Sequence, residues 1–202
     1  MRIGIFGGTF DPFTQGHAAV VKNAFDQLKL DKIYIVPTIV NYYRKDKRYL
    51  FNFEEKVEII TEFIARCFKN YSVEIDPIEK EKAADWRTID LVQYFKKKFP
   101  HDEFYLIIGE DSYNEFKTWT RWEDILSEVT LCVANRNYGH SNTFEWRQKD
   151  VPALGINMGD RFDECSATNT RNRLIQEMMD LYLSDSAWYN ELAIEDDDNN
   201  DE

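Results

Sequence analysis

The chain has 202 residues, is 43% hydrophobic and 15% aromatic, and carries a formal charge of −12. That composition suits one domain with a sizeable core; no apolar run is long enough to span a membrane, and the acidic balance argues against a nucleic-acid partner, which requires a basic face. Three widely spaced cysteines, Cys67, Cys132 and Cys165, exclude a CxxC zinc site or a disulfide framework, read as core residues and fit a reducing cytoplasm.

Strand and helix patterns alternate from the first residue. RIGIFG reads as a buried strand, and GGTFDPFTQGH leads into a helix from Gly16 to about Leu28, with Ala19, Val20, Ala24 and Leu28 apolar. MRIGIF lacks the charged start and long apolar run of a secretory signal. KIYIVP (32–37) is a second strand, stopped by Pro37, and a tyrosine- and lysine-rich loop continues to about Phe51. An amphipathic helix follows over FNFEEKVEIITEFIARCF, then a short strand over YSVEI (71–75) and a charged loop. Thr88–Lys98 reads as helix and EFYLIIG (103–109) as a buried strand. Helical turns over 111–127, a strand VTLCVANR (129–136) and a weaker strand near Ala153–Asn157 come next. Ser166 then stands as the N-cap of a helix holding Leu174, Ile175, Met178 and Met179. Six of the eight residues 195–202 are acidic, so a disordered acidic tail over 193–202 is expected behind a single domain, 1–192. This alternation implies a Rossmann-like three-layer α/β sandwich with a mostly parallel sheet. Ligands in such sheets sit beyond the carboxyl ends of the strands. Gly7–His17, the 38–51 loop, Gly109–Asp111, Arg136 and Cys165–Arg171 are all expected on that rim.

Gly7-Gly8-Thr9-Phe10-Asp11-Pro12 has neither the spacing of a dinucleotide GxGxxG turn nor the lysine of a P-loop. Its glycines let a nucleotide approach the backbone. Thr14 is suited to cap the following helix, holding His17 in the field of its N-terminus, where an imidazole can donate to phosphate oxygens. Trp86 and Trp122 read as packing residues, and His101 and His140 sit in polar loops without an assigned role.

GGTFDPFTQGH closely resembles the first signature, (H/T)xGH, of the nucleotidylyltransferase superfamily, and CSATNTR (165–171) resembles its second, of the ISxTxxR kind. The resemblance implies that Gly7, Gly8, Thr9, Phe10, Thr14 and His17 meet ATP while Ser166, Thr168 and Arg171 grip its β- and γ-phosphates. His17 and Arg171 would carry the catalytic charge work. IIGEDSYNEFKTWTRWEDIL (107–126), TIDLV (88–92) and VANR (133–136) resemble the nicotinate-nucleotide adenylyltransferases, so that the likeness covers roughly residues 2–176. By that resemblance Gly109 and Asp111 contact adenosine, Arg136 lies near the adenine or the bound mononucleotide, Trp119 stacks on a pyridine ring and Thr88 touches its carboxylate or amide. The implied reaction is adenylyl transfer from ATP, with Mg2+ arriving on the nucleotide and no protein metal ligand named, to nicotinate or nicotinamide mononucleotide.

Three positions depart from that pattern. Thr14 stands where most nicotinate-nucleotide enzymes have histidine, TIVNYYRKDKR (38–48) does not reproduce the family's PTGxPPHK run, and Thr170 takes a usually apolar place. Lys45 or Lys47 would substitute for that run's lysine at the substrate. Thr14 is typical of pantetheine-phosphate adenylyltransferases, which makes that activity the alternative, opposed by GED…KTW and by the greater length. A non-catalytic nucleotide-binding regulatory module is a further alternative, opposed by intact His17 and Arg171. Monomer and homo-oligomer both remain open.

Overall fold

Among the described residues six strands pair into one sheet in the order β3-β2-β1-β4-β5-β6, every neighbouring pair parallel. They are β1 (Arg2–Gly8), β2 (Lys32–Pro37), β3 (Val73–Ile75), β4 (Glu103–Gly109), β5 (Thr130–Asn135) and β6 (Leu154–Asn157). Among the described residues the helices with both ends defined are α1 (Gln15–Leu28), α2 (Phe53–Cys67), α3 (Thr88–Lys98), α4 (Glu110–Asn114) and α5 (Trp122–Glu128), with 3₁₀ turns at Ile78–Glu81 and Phe116–Thr118, and residues 170 and 172–177 are also helical, within the helix expected after Ser166. The computed structural model describes residues 1–39, 49–82, 86–135, 150–158, 170 and 172–177. Lys45, Lys47, Arg136, Ser166, Thr168, Arg171 and the segment 193–202 lie outside them.

Period-two alternation along the strands builds two cores, one on each face. Phe6, Ile33, Ile35, Ile107 and Cys132 face α1 and α2, which supply Val21, Ala24, Leu28 and Ile60. Ile3, Ile5, Val36, Leu106 and Ile108 face α3 and α5, which supply Ile89, Val92, Phe95 and Ile125. Local chemistry sets the helix ends. At α2 the Asn52 side chain accepts from the Glu55 N–H at 2.9 Å while Glu55 accepts from the Asn52 N–H at 2.8 Å, a reciprocal cap. At α3 the Asp90 carboxylate accepts from the Arg87 N–H at 2.8 Å.

Three expectations need adjusting. The strand read over 71–75 begins only at Val73, because Tyr71 and Val73 close turns onto Phe68 and Tyr71 carbonyls. The charged stretch after it contains the 3₁₀ turn Ile78–Glu81, started by Asp76, which accepts from the Ile78 N–H at 3.1 Å. Cys132 is a core residue whose thiol burial pushes up to about 12, whereas Cys67 is exposed at the end of α2 and Phe68 takes the core position. Among the described residues no helix is long and apolar enough to cross a membrane.

Chain order reverses between β1 and β4: β2 and β3 extend the sheet to one side, β4 to β6 to the other. The helices leaving the two central strands therefore diverge to opposite faces and leave a crevice at the carboxyl ends of β1 and β4.

Candidate active site

The turn after β1 aims an imidazole. Thr14 is the N-cap of α1, with extended backbone (φ −125°, ψ 172°), and its backbone N–H donates to His17 Nδ1 at 3.0 Å. Thr14 Oγ1 stands at the same 3.0 Å from that nitrogen. A nitrogen that accepts a backbone proton carries none of its own, so the neutral ring holds its proton on Nε2. Phe10 and Phe13 clamp the ring, each with its centroid 5.2 Å away. His17 thus sits in the first turn of a 14-residue helix, at the positive end of its dipole.

Phe10 is 3% exposed and has φ 45°. Its ring belongs to the α1-side core against Phe6 and Phe13, so a contact with a ligand is left to its backbone. Gly8 serves that ring: a Cβ there would lie 2.8 Å from Phe10 Cε1. Gly7 points to the other face, where a Cβ would meet only Leu91 Cδ2 at 3.9 Å and the Val36 oxygen at 4.0 Å.

That open space belongs to a cleft on the α3 face. Its floor is the end of β1, Gly7-Gly8-Thr9, with Leu106–Ile108 of β4, and its walls carry Thr38, Glu79, Trp86, Thr88 and Trp119. Thr88 is the first residue of α3, so a helix N-terminus opens here. Trp119 ends the 3₁₀ turn Phe116–Thr118 and leans on Phe116 with centroids 5.2 Å apart. Gly109 caps α4 with ordinary φ (−81°), and a Cβ on it would meet nothing within 4 Å. Asp111, in the first turn of α4, is exposed. Gly7, Gly8, Thr9, Thr88 and Trp119 are thus gathered around one crevice, with Thr14 and His17 on the other face of the same strand end.

Several residues that the sequence reading passed over shape this rim. Asp11 is 1% exposed and accepts from the N–H groups of Leu50 (3.0 Å) and Phe51 (2.9 Å), tying residues 50–51 to the first turn. Lys56, also 1% exposed, reaches the Thr38 carbonyl at 3.4 Å and sits 4.5 Å from the Tyr49 ring centroid. Its position was legible, since Lys56, Ile60 and Phe63 share the inward stripe of α2. Glu79 lines the cleft; burial pushes its carboxyl up to about 7, against the opposing pull of the Ile39 N–H and the Lys56 ammonium. Its place in a charged run offered no signal. Trp86, read as packing, packs on the α3-side core and also lines the cleft. Among the described residues, no group of three or more His, Cys, Asp or Glu side chains is gathered to hold a metal ion.

A family model described as cytidylyltransferase-like matches residues 5–173. A probable nicotinate-nucleotide adenylyltransferase of Bacillus pumilus is 31% identical over 183 residues, covering 90% of each chain. One from Albidiferax ferrireducens is 36% identical over 169 residues, covering 79% of this chain and 83% of the relative. Among solved structures, the Plasmodium falciparum nicotinic acid mononucleotide adenylyltransferase complexed with NaAD superposes with a TM-score of 0.69 at 22% identity. That match covers 85% of this chain and 82% of the other, a likeness of fold.

Proposed function

This chain belongs to the cytidylyltransferase-like family, and from that membership we propose that it transfers the adenylyl group of ATP to nicotinate mononucleotide. The products are the dinucleotide of NAD biosynthesis and pyrophosphate. The observation that carries the reading is a two-sided site at one strand end. On one face of β1 a helix N-terminus holds His17; on the other an aromatic-walled cleft opens over Gly7. A triphosphate suits the first and a flat ring the second, and their phosphates meet where β1 ends without a side chain. Relatives 31% and 36% identical bear the name of this activity.

In this reading an oxygen of the acceptor's phosphate attacks the α-phosphorus in line and pyrophosphate leaves, without a covalent enzyme intermediate. Such transfers depend on alignment and on charge stabilisation. His17 donates through Nε2–H to the phosphates, assisted by Thr14 and by the backbone of Gly7, Gly8, Thr9 and Phe10. Arg171, Ser166 and Thr168 hold the β- and γ-phosphates, Gly109 and Asp111 the adenosine, and Arg136 the adenine side; the roles of Arg136, Ser166, Thr168 and Arg171 rest on motif resemblance. Trp119 stacks on the pyridinium, whose charge suits the negative ring face. Thr88 meets the ring substituent, and Lys45 or Lys47 the acceptor. Magnesium enters as MgATP, part of the substrate. One domain, 1–192, carries the reaction, and we assign it to the cytoplasm.

The test is pyrophosphate release by the full chain with MgATP and a panel of nicotinate mononucleotide, nicotinamide mononucleotide and phosphopantetheine. Turnover with a pyridine mononucleotide is expected. Turnover with phosphopantetheine alone overturns the acceptor assignment, and nucleotide binding without turnover on any acceptor overturns the enzymatic reading.

A further inference from the structure

One peptide group just past the end of β2 is held at both poles by charged side chains that the reaction itself does not use. Its carbonyl, that of Thr38, accepts from Lys56 Nζ at 3.4 Å. Its amide, that of Ile39, donates to the Glu79 carboxylate. Lys56 arrives from α2, and Glu79 from the 3₁₀ turn Ile78–Glu81 behind β3. Thr38 and Glu79 line the cleft, whereas Lys56, 1% exposed, stands behind that lining.

Two such charges are an expensive way to fill space. An ammonium and a carboxylate taken out of water lose hydration, and apolar side chains of similar volume often serve stability as well or better. Burial pushes the Glu79 carboxyl up to about 7, so above neutrality its charge is carried at the expense of stability. What the pair supplies, and apolar groups cannot, is orientation. A peptide dipole with a cation at its oxygen and an anion at its N–H is fixed against rotation, and hydrogen bonds to ionised groups are the stronger kind. The sheet does not provide this service, because its last pair on this side is Gly8 with Pro37. The Thr38 N–H is tied separately to the Gly8 carbonyl at 2.9 Å, so the side-chain grip bears on the peptide beyond the sheet and not on β1.

Resting on the adenylyl-transfer reading, we propose that Lys56 and Glu79 are positioning residues: by gripping the two poles of the Thr38–Ile39 peptide, they hold the Thr38 side of the cleft in the orientation that receives the acceptor mononucleotide. They act through the backbone and not on the reacting atoms. In the same reading MgATP is placed by the His17 turn and by Gly109 and Asp111, on other elements, so the effect falls on the acceptor.

The experiment has two arms, both on the full chain at about pH 8, above the value of about 7 to which burial pushes Glu79, so that both charges are present. The first follows amide hydrogen exchange by NMR and needs no activity. Glu79→Ala speeds exchange of the Ile39 amide about tenfold or more and leaves the Thr38 amide unchanged. The second is steady-state kinetics with MgATP and nicotinate mononucleotide. Lys56→Met and Glu79→Ala each raise the acceptor KM about tenfold without changing the KM for MgATP. Lys56→Arg restores most of that loss, and the double variant Lys56→Met/Glu79→Ala is no worse than the worse single one, because both groups act on one peptide. Should Lys56→Met fail to fold by circular dichroism, Glu79→Ala decides the matter. Unchanged exchange at Ile39, equal rises in both KM values, no rise in either, or fully additive losses overturn the proposal while leaving adenylyl transfer standing. A wild type inactive on pyridine mononucleotides removes the functional reading and the positioning role with it, whatever the exchange arm shows.

Discussion

At the scale of single residues, a backbone group sets the tautomer of His17. The Thr14 N–H occupies Nδ1, leaving Nε2–H as the donor that a phosphate oxygen can use. The Thr14 hydroxyl stands at the same 3.0 Å from Nδ1, but the N–H contact is one that every non-proline residue supplies, so it does not depend on which side chain stands at position 14. His17→Ala is expected to lower kcat on the order of 10²- to 10³-fold, the cost of one charge-stabilising donor, with an unchanged far-ultraviolet spectrum. Thr14→Ala keeps the N–H and loses only the hydroxyl, so its loss should stay within about tenfold. Comparable losses in the two variants would show that the hydroxyl, not the backbone, holds the ring. The motif was legible in GGTFDPFTQGH. The tautomer was not, because it follows from a three-residue reach that only the folded turn closes.

At the scale of elements, the end of β2, the start of α2 and the 3₁₀ turn Ile78–Glu81 meet around buried charge. Lys56 projects from the inward stripe of α2 to the Thr38 carbonyl, Asp11 takes the Leu50 and Phe51 N–H groups, and Glu79 is drawn in beside them. Burial raises the Glu79 carboxyl from its ordinary 4.5 to about 7. Across that interval the folded chain holds a proton that the unfolded chain has released. Stability contributed by this group is therefore full below 4.5 and is lost as pH rises through about 7. Glu79→Gln should flatten the fall of the melting temperature over that window and be the more stable protein at alkaline pH, by on the order of 2 kcal/mol. Parallel melting curves for the two proteins over the same window would remove Glu79 from the account. Sequence periodicity located α2 and β2 but not this junction. IEKEK looks like any solvated charged loop until the turn folds Glu79 inward.

At the scale of the whole molecule, the sheet order decides what two adjacent glycines do. Gly7 and Gly8 are alike in sequence, yet the pleat sends them to opposite faces at the point where the chain order reverses. Gly7→Ala should fold normally, since its new methyl meets nothing closer than 3.9 Å. It projects into the cleft, so kcat/KM should fall by tenfold or more through misplaced reactants. Gly8→Ala drives a methyl to 2.8 Å from the Phe10 ring and should cost about 1–3 kcal/mol of stability by overpacking. Denaturant unfolding and steady-state kinetics on both variants separate the two effects, and a destabilised Gly7→Ala would show that the space above β1 is core and not cleft. The sequence alone determined the α/β alternation, the strands and helices to within a few residues, the glycine-containing turn between β1 and α1, and the family resemblance. These depend on local periodicity, on capping residues and on contiguous motifs. Only the tertiary structure decided that Trp86, Thr38 and Glu79 line one cleft, that Phe10 supports His17 from the core, and that Gly7 opens on that cleft while Gly8 makes room for a ring. Those outcomes depend on which strands become neighbours and which face each residue meets, and such long-range pairings leave no periodic trace in the chain.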